Sequence, residues 1–99
     1  MKKVLVTGGT VFVSRYIAEY YVSKDYEVYV LNRNSREQSK GVILIEADRH
    51  NLGEILKDIN FDIVIDTAYN SIDVDLLLNA LGNYKEYILI SSSAVYPEY

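Results

Sequence analysis

Residues 3–32 read KVLVTGGTVFVSRYIAEYYVSKDYEVYVLN, and the fold of the chain turns on how this stretch is taken. KVLVT (3–7) and EVYVLN (27–32) are short runs rich in β-branched residues, as strands are. Both are apolar without clean alternation, which is the pattern of strands covered on both faces of a parallel sheet. Between them, FVSRYIAEYYVSK (12–24) has helical spacing, with Phe12, Tyr16, Ile17, Tyr20 and Tyr21 near one stripe. Strand, glycine-containing turn, helix and strand together make one βαβ unit.

Working outward, VILIE (42–46), DIVIDTA (62–68) and YILISS (87–92) predict three further strands. NLGEILKDI (51–59) predicts a short amphipathic helix. IDVDLLLNALG (72–82) predicts another, with Gly82 suited to its C-cap. This alternation specifies an α/β fold, a Rossmann-like parallel sheet of about five strands with flanking helices. Right-handed crossovers favour the strand order 3-2-1-4-5.

The composition agrees with that class and removes others. Ninety-nine residues, 49% hydrophobic and 24% charged, suit a single globular domain. No cysteine is present, which excludes disulfides, thiolate catalysis and cysteine-ligated metals. His50 is the single histidine, and no metal site is expected. A net charge of −4 argues against a nucleic-acid binder, which usually shows a basic face. No stretch approaches the roughly 18 apolar residues of a membrane span, and the apolar run near the start is too short for a signal peptide. A cytoplasmic protein is therefore expected.

The chemistry gathers around TGGTVFVSRYI (7–17). Glycines let a chain turn tightly off a strand, and the first N–H groups of the next helix, around Phe12 and Val13, can point at an anion. In the dinucleotide fingerprint a second glycine lets the backbone approach the pyrophosphate and a third lets helix and strand pack closely. Val11 and Ser14 stand in those two slots. The loop reads either as a modified phosphate loop or as a tight turn of a sheet protein. Asn32-Arg33 lies about 20 residues further on, where a carboxylate would hold the ribose hydroxyl of NAD. A neutral residue followed by arginine suits the 2′-phosphate of NADP; the alternative is an exposed loop arginine. Asp48, just past the third strand, could accept from the adenine amino group or cap a helix. SSSAVYP (91–97) falls at the C-terminal edge of the sheet, where open α/β sheets bind ligands, or is a polar loop.

Taken in order, TGGT, the acid after strand 3, Ala68 after strand 4 and Ser-Ser-Ser-Ala-Val-Tyr-Pro after strand 5 resemble the extended short-chain dehydrogenase/reductases. These are NAD(P)-dependent sugar epimerases and dehydratases, and the similarity runs through all five strands. The resemblance implies a dinucleotide on this half of the fold and oxidation of a nucleotide-sugar hydroxyl by hydride transfer. By motif matching it places Gly8, Thr10, Val11, Phe12 and Val13 on the phosphate loop. It places Asn32 and Arg33 at the ribose, Asp48 at the adenine, and Thr67, Ala68 and Tyr69 beside the cofactor. It assigns the catalytic hydroxyl to Ser92. The departures are Val11 and Ser14 for glycines and Asp66 where many members carry histidine.

The family's general base is a tyrosine assisted by a lysine four residues on, placed after the serine strand, and this chain stops at Tyr99. Tyr20 and Lys24 have the spacing but lie on the first helix, where tyrosines are expected to cover the core. The expectation is a domain spanning 1–99 that is truncated before the Tyr-x-x-x-Lys helix and the substrate region, incomplete relative to the family fold and inactive alone. The alternatives are a non-catalytic nucleotide-sensing or interaction module and, behind it, an RNA-binding relative. An uncovered sheet edge also predicts self-association.

Overall fold

The β-branched runs pair side by side into one sheet. The structure is a computed structural model that describes residues 1–7, 12–34, 37–67 and 71–90, the side chains of Phe12 and Arg49 excepted. The elements are β1 (Lys3–Thr7), α1 (Phe12–Ser23), β2 (Glu27–Asn32), β3 (Val42–Glu46), a 3-10 turn (Arg49–Asn51), β4 (Asn60–Asp66), α2 (Ser71–Ala80) and β5 (Asn83–Leu89). The strand order is β3-β2-β1-β4-β5, and all four pairings are parallel. Val4 is in register with Val28 on one side and with Ile63 on the other.

Alternate residues of each strand point to opposite faces, so the sheet carries two cores. Val4, Val6, Val28, Val30 and Ile65 gather with Ala18 of α1 on one face. Leu5, Leu31, Phe61 and Val64 gather with Leu52, Leu56, Leu77, Ala80 and Leu81 on the other. The crossover from β1 to β2 and the one from β4 to β5 therefore lie on opposite faces, as right-handed connections require when the chain moves outward in both directions.

α1 ends on a motif that the sequence does not advertise. Tyr26 N–H donates to Tyr21 O and Asp25 N–H donates to Val22 O, both at 3.1 Å. That is the paired pattern of a Schellman cap. Asp25 supplies the left-handed residue at φ 66°, and the Tyr21 and Tyr26 rings close the motif edge to face, 4.9 Å apart. Glu27 N–H then donates to Lys2 O at 2.8 Å, which starts β2 in register with β1.

Four local expectations need correction. Residues 51–59 form no α-helix: beyond the 3-10 turn the chain runs in turns whose backbone bonds span three residues. Gly53 at φ 57° breaks any helical run, although Leu52 and Leu56 are still buried at the expected spacing. β5 begins at Asn83 rather than Tyr87, because an outer strand exposes much of its surface and its first residues need not be apolar. On α1, Tyr16 is 71% exposed and Tyr20 is also exposed. Ile17 and Tyr21 of the expected stripe do pack against the core, but the buried positions are Ser14 and Ala18, whose small side chains let the helix lie close to the sheet. Gly82 is no left-handed C-cap, since the positive-φ glycines among the described residues are Gly41 and Gly53. What it provides is space: a Cβ there would lie 2.1 Å from Lys57 O.

Candidate functional site

Because the strands are parallel, their C-terminal ends share one edge, where Thr7, Asn32, Glu46, Asp66 and Leu89 close β1 to β5. The chain leaves β1 toward β2, while β4 stands on the other side of β1. The order reverses between β1 and β4, and ligands bind at such a reversal in open α/β sheets.

A polar network spans that reversal. Asp66 is fully buried, and a buried carboxyl is tolerated only when its oxygens accept hydrogen bonds. Thr7 Oγ1 donates to Asp66 Oδ1 at 3.0 Å, and the Tyr87 hydroxyl donates to Oδ2 at 2.6 Å. The chain closes on the neighbouring residue: Thr67 N–H donates to Thr7 Oγ1 at 2.8 Å, and Thr67 Oγ1 donates to Thr7 O at 3.0 Å. One residue further, Ile90 N–H donates to Asp66 O at 2.8 Å. The ends of β1, β4 and β5 are thereby tied through side chains as well as the ladder.

At the end of β2 the side chain of Asn32 organises the following loop. Its Oδ1 accepts from Asn34 N–H at 2.7 Å and from Gln38 Nε2 at 3.2 Å, and its Nδ2 donates to Gln38 Oε1 at 3.1 Å. Further along, buried Ser39 donates its hydroxyl to Glu19 Oε2 at 2.8 Å, which pins the loop to α1. That hydroxyl, and after it the Arg15 guanidinium, hold the Glu19 carboxyl below its ordinary value. Arg33 is exposed beside Asn32.

Asp48 caps the 3-10 turn, its Oδ1 accepting from His50 N–H at 2.8 Å. The His50 ring reaches Asp73 of α2 through Nε2 at 3.1 Å and lies 3.5 Å from Asp48 through Nδ1. The segment after β3 is thus tied to the first turn of α2. Asp48 itself stays exposed.

The structure therefore brings Thr67, Asn32, Arg33 and Asp48 to the C-terminal edge, with Val13 exposed in the first turn of α1. Phe12 begins that helix. Gly8, Thr10, Val11, Ala68, Tyr69 and Ser92 lie outside the described residues. The sequence reading missed Thr7 and Tyr87 as partners of Asp66, and Gln38 as the partner of Asn32. A faint signal existed for the first set: two buried strands that each end in a polar residue at the same edge. Tyr20 sits on α1 and Lys24 lies in the turn directly after it, with Lys24 Nζ 5.6 Å from the Tyr20 ring centroid.

Among the described residues, no helix is long and apolar enough to cross a membrane. A comparison with curated proteins finds no significant match. A family profile does match: it covers residues 4–77, from β1 into α2, and its description is NAD dependent epimerase/dehydratase. The parallel sheet with its reversal between β1 and β4 is the framework such enzymes use for a nicotinamide dinucleotide, and the chain belongs to the NAD dependent epimerase/dehydratase family.

Proposed function

We propose that residues 1–99 form the dinucleotide-binding domain of an epimerase, dehydratase or reductase that acts on a nucleotide-sugar, and that its cofactor is NADP rather than NAD. The observation that carries the reading is the end of β2 in a chain of this family. Asn32 engages its amide with Gln38 and Asn34, which leaves the exposed Arg33 guanidinium as the cation for a 2′-phosphate.

The other donors fit the same ligand. The first turn of α1 carries no acidic side chain, so nothing there repels an anion drawn to the helix N-terminus. Asp48 keeps one oxygen on His50 N–H and can offer the other to an adenine amino group. Thr67 lines the path along the end of β4. Bound there, the dinucleotide would supply the hydride acceptor. Ser92 would hydrogen-bond the reacting oxygen, and the proton would move through a tyrosine–lysine pair beyond the serine segment.

Titration of the chain with NADPH and NADH, followed by nicotinamide fluorescence, tests the reading. NADPH should bind more tightly, and Arg33→Asp should weaken it about tenfold while leaving NADH nearly unchanged, as expected for loss of one charge-assisted phosphate contact. A folded chain that binds neither nucleotide would overturn the proposal in favour of a non-catalytic interaction module.

A further inference from the structure

We infer that Asp66, with Tyr87 and Thr7, is a positioning device for the cofactor's pyrophosphate, setting the end of β1 from which the phosphate loop departs. This rests on the reading that the pyrophosphate lies at that edge. Thr7 is the last residue of β1, and Gly8 follows it directly. The placement of Thr7 therefore sets where the chain enters Gly8.

The bonding pattern leaves Thr7 little freedom. A threonine hydroxyl has one proton, and that of Thr7 goes to Asp66 Oδ1. Its oxygen accepts Thr67 N–H, and its backbone carbonyl accepts the Thr67 hydroxyl. The side chain and the carbonyl are therefore both fixed to β4 and its first following residue. Asp66 is fixed in turn from the far side, because Tyr87 of β5 occupies its second oxygen. Tyr87 is in register with Val64, two residues before Asp66 on the same face, so its ring runs along the sheet to reach that carboxyl. The resulting order is Tyr87, Asp66, Thr7, Thr67, across three adjacent strands.

Asp66 accepts at two separate oxygens, one from each neighbouring strand. An amide of the same shape accepts on one side only and turns an N–H₂ group toward the other donor. A hydroxyl can turn to accept that group, but the Thr7 oxygen already accepts Thr67 N–H. Thr7 then exchanges its donated bond for a second accepted one, and the end of β1 loses the carboxylate that anchors it. Replacing the Thr7 hydroxyl by a methyl removes the same link from the other end, whereas serine keeps it.

The experiment measures ADP and adenosine binding by calorimetry to the whole chain and to Asp66→Asn, Tyr87→Phe, Thr7→Val and Thr7→Ser, with circular dichroism to confirm folding. The expected result is an ADP affinity about tenfold lower in Asp66→Asn and Thr7→Val. Tyr87→Phe should show a smaller loss and Thr7→Ser an affinity near that of the parent chain. Adenosine affinity should change less than about twofold, because adenosine makes no pyrophosphate contact. A network that serves stability alone would lower the unfolding temperature without changing the ratio of ADP to adenosine affinity, and that outcome overturns the inference. If Asp66→Asn does not fold, Thr7→Val against Thr7→Ser decides the question in the same way. A parent chain that binds no ADP removes the cofactor reading itself, and the inference with it.

Discussion

At the scale of single residues, Asp25 occupies a position that local physics disfavours twice. The Schellman cap of α1 needs a left-handed residue, and Asp25 fills that place at φ 66°, where an L side chain is strained. Its carboxylate also lies at the helix C-terminus, where the macrodipole disfavours negative charge. Asp25→Gly relieves both, partly offset by the greater freedom glycine has in the unfolded chain. Denaturant unfolding should show a gain of about 0.5–1 kcal/mol. Tyr29 illustrates a different local effect. Its hydrogen bond to Glu27, followed by burial, raises its pKa to about 12, so its proton is held more tightly in the folded chain. The stability this contributes is full below the ordinary tyrosine value of 10.0 and is lost as the pH rises through about 12.

At the scale of elements, the contact between Gly82 and the segment after β3 decides how α2 joins β5. An alanine Cβ at that position would lie 2.1 Å from Lys57 O and 2.8 Å from Lys57 C. Both are backbone atoms, so no rotamer change relieves the clash. The Lys57 ammonium in turn donates to Asn79 O at 2.7 Å, which caps the end of α2 from the same segment. Gly82→Ala should lower stability by about 1–3 kcal/mol. The check is an equilibrium unfolding curve with unchanged slope and a lower midpoint. An alanine variant as stable as the parent would show that the helix end can move away from Lys57 freely.

At the scale of the whole molecule, the sheet is the element on which the two faces and the ligand edge depend. Among the described residues its two cores lie on opposite faces of the strands, so binding at the C-terminal edge is felt by the domain as a unit. A ligand that binds the folded chain and not the unfolded one at one hundred times its dissociation constant stabilises it by about 2.7 kcal/mol. Each kcal/mol raises the melting temperature by roughly 4–8 °C for a domain of this size. NADPH at that excess should raise the melting temperature by more than about 10 °C, and NADH at the same concentration should raise it less. A thermal scan with no shift from either nucleotide contradicts the cofactor reading at the level of the folded domain.

The sequence determined the sheet by itself. Strands buried on both faces must be almost wholly apolar, and VLV, VYVL and IVI are legible as such without neighbours. VILI has the same composition, although β3 is an edge strand with Ile43 exposed. Their alternation with amphipathic segments leaves few topologies, and the observed order is the one handedness favours. The C-terminal edge of the sheet was legible for the same reason, since the ends of parallel strands are known once the strands are. The sequence could not show which polar residues at that edge bind each other. Thr7 and Asp66 are separated by 59 residues along the chain, and Asp66 and Tyr87 by 21, so their contacts exist only through strand register. The tertiary structure also decided which positions of α1 lie deepest: close packing on the sheet selected Ser14 and Ala18, with Ile17 and Tyr21 beside them, and left Tyr16 and Tyr20 exposed. Periodicity fixes the spacing of a stripe, but the depth available beneath it belongs to the packed molecule.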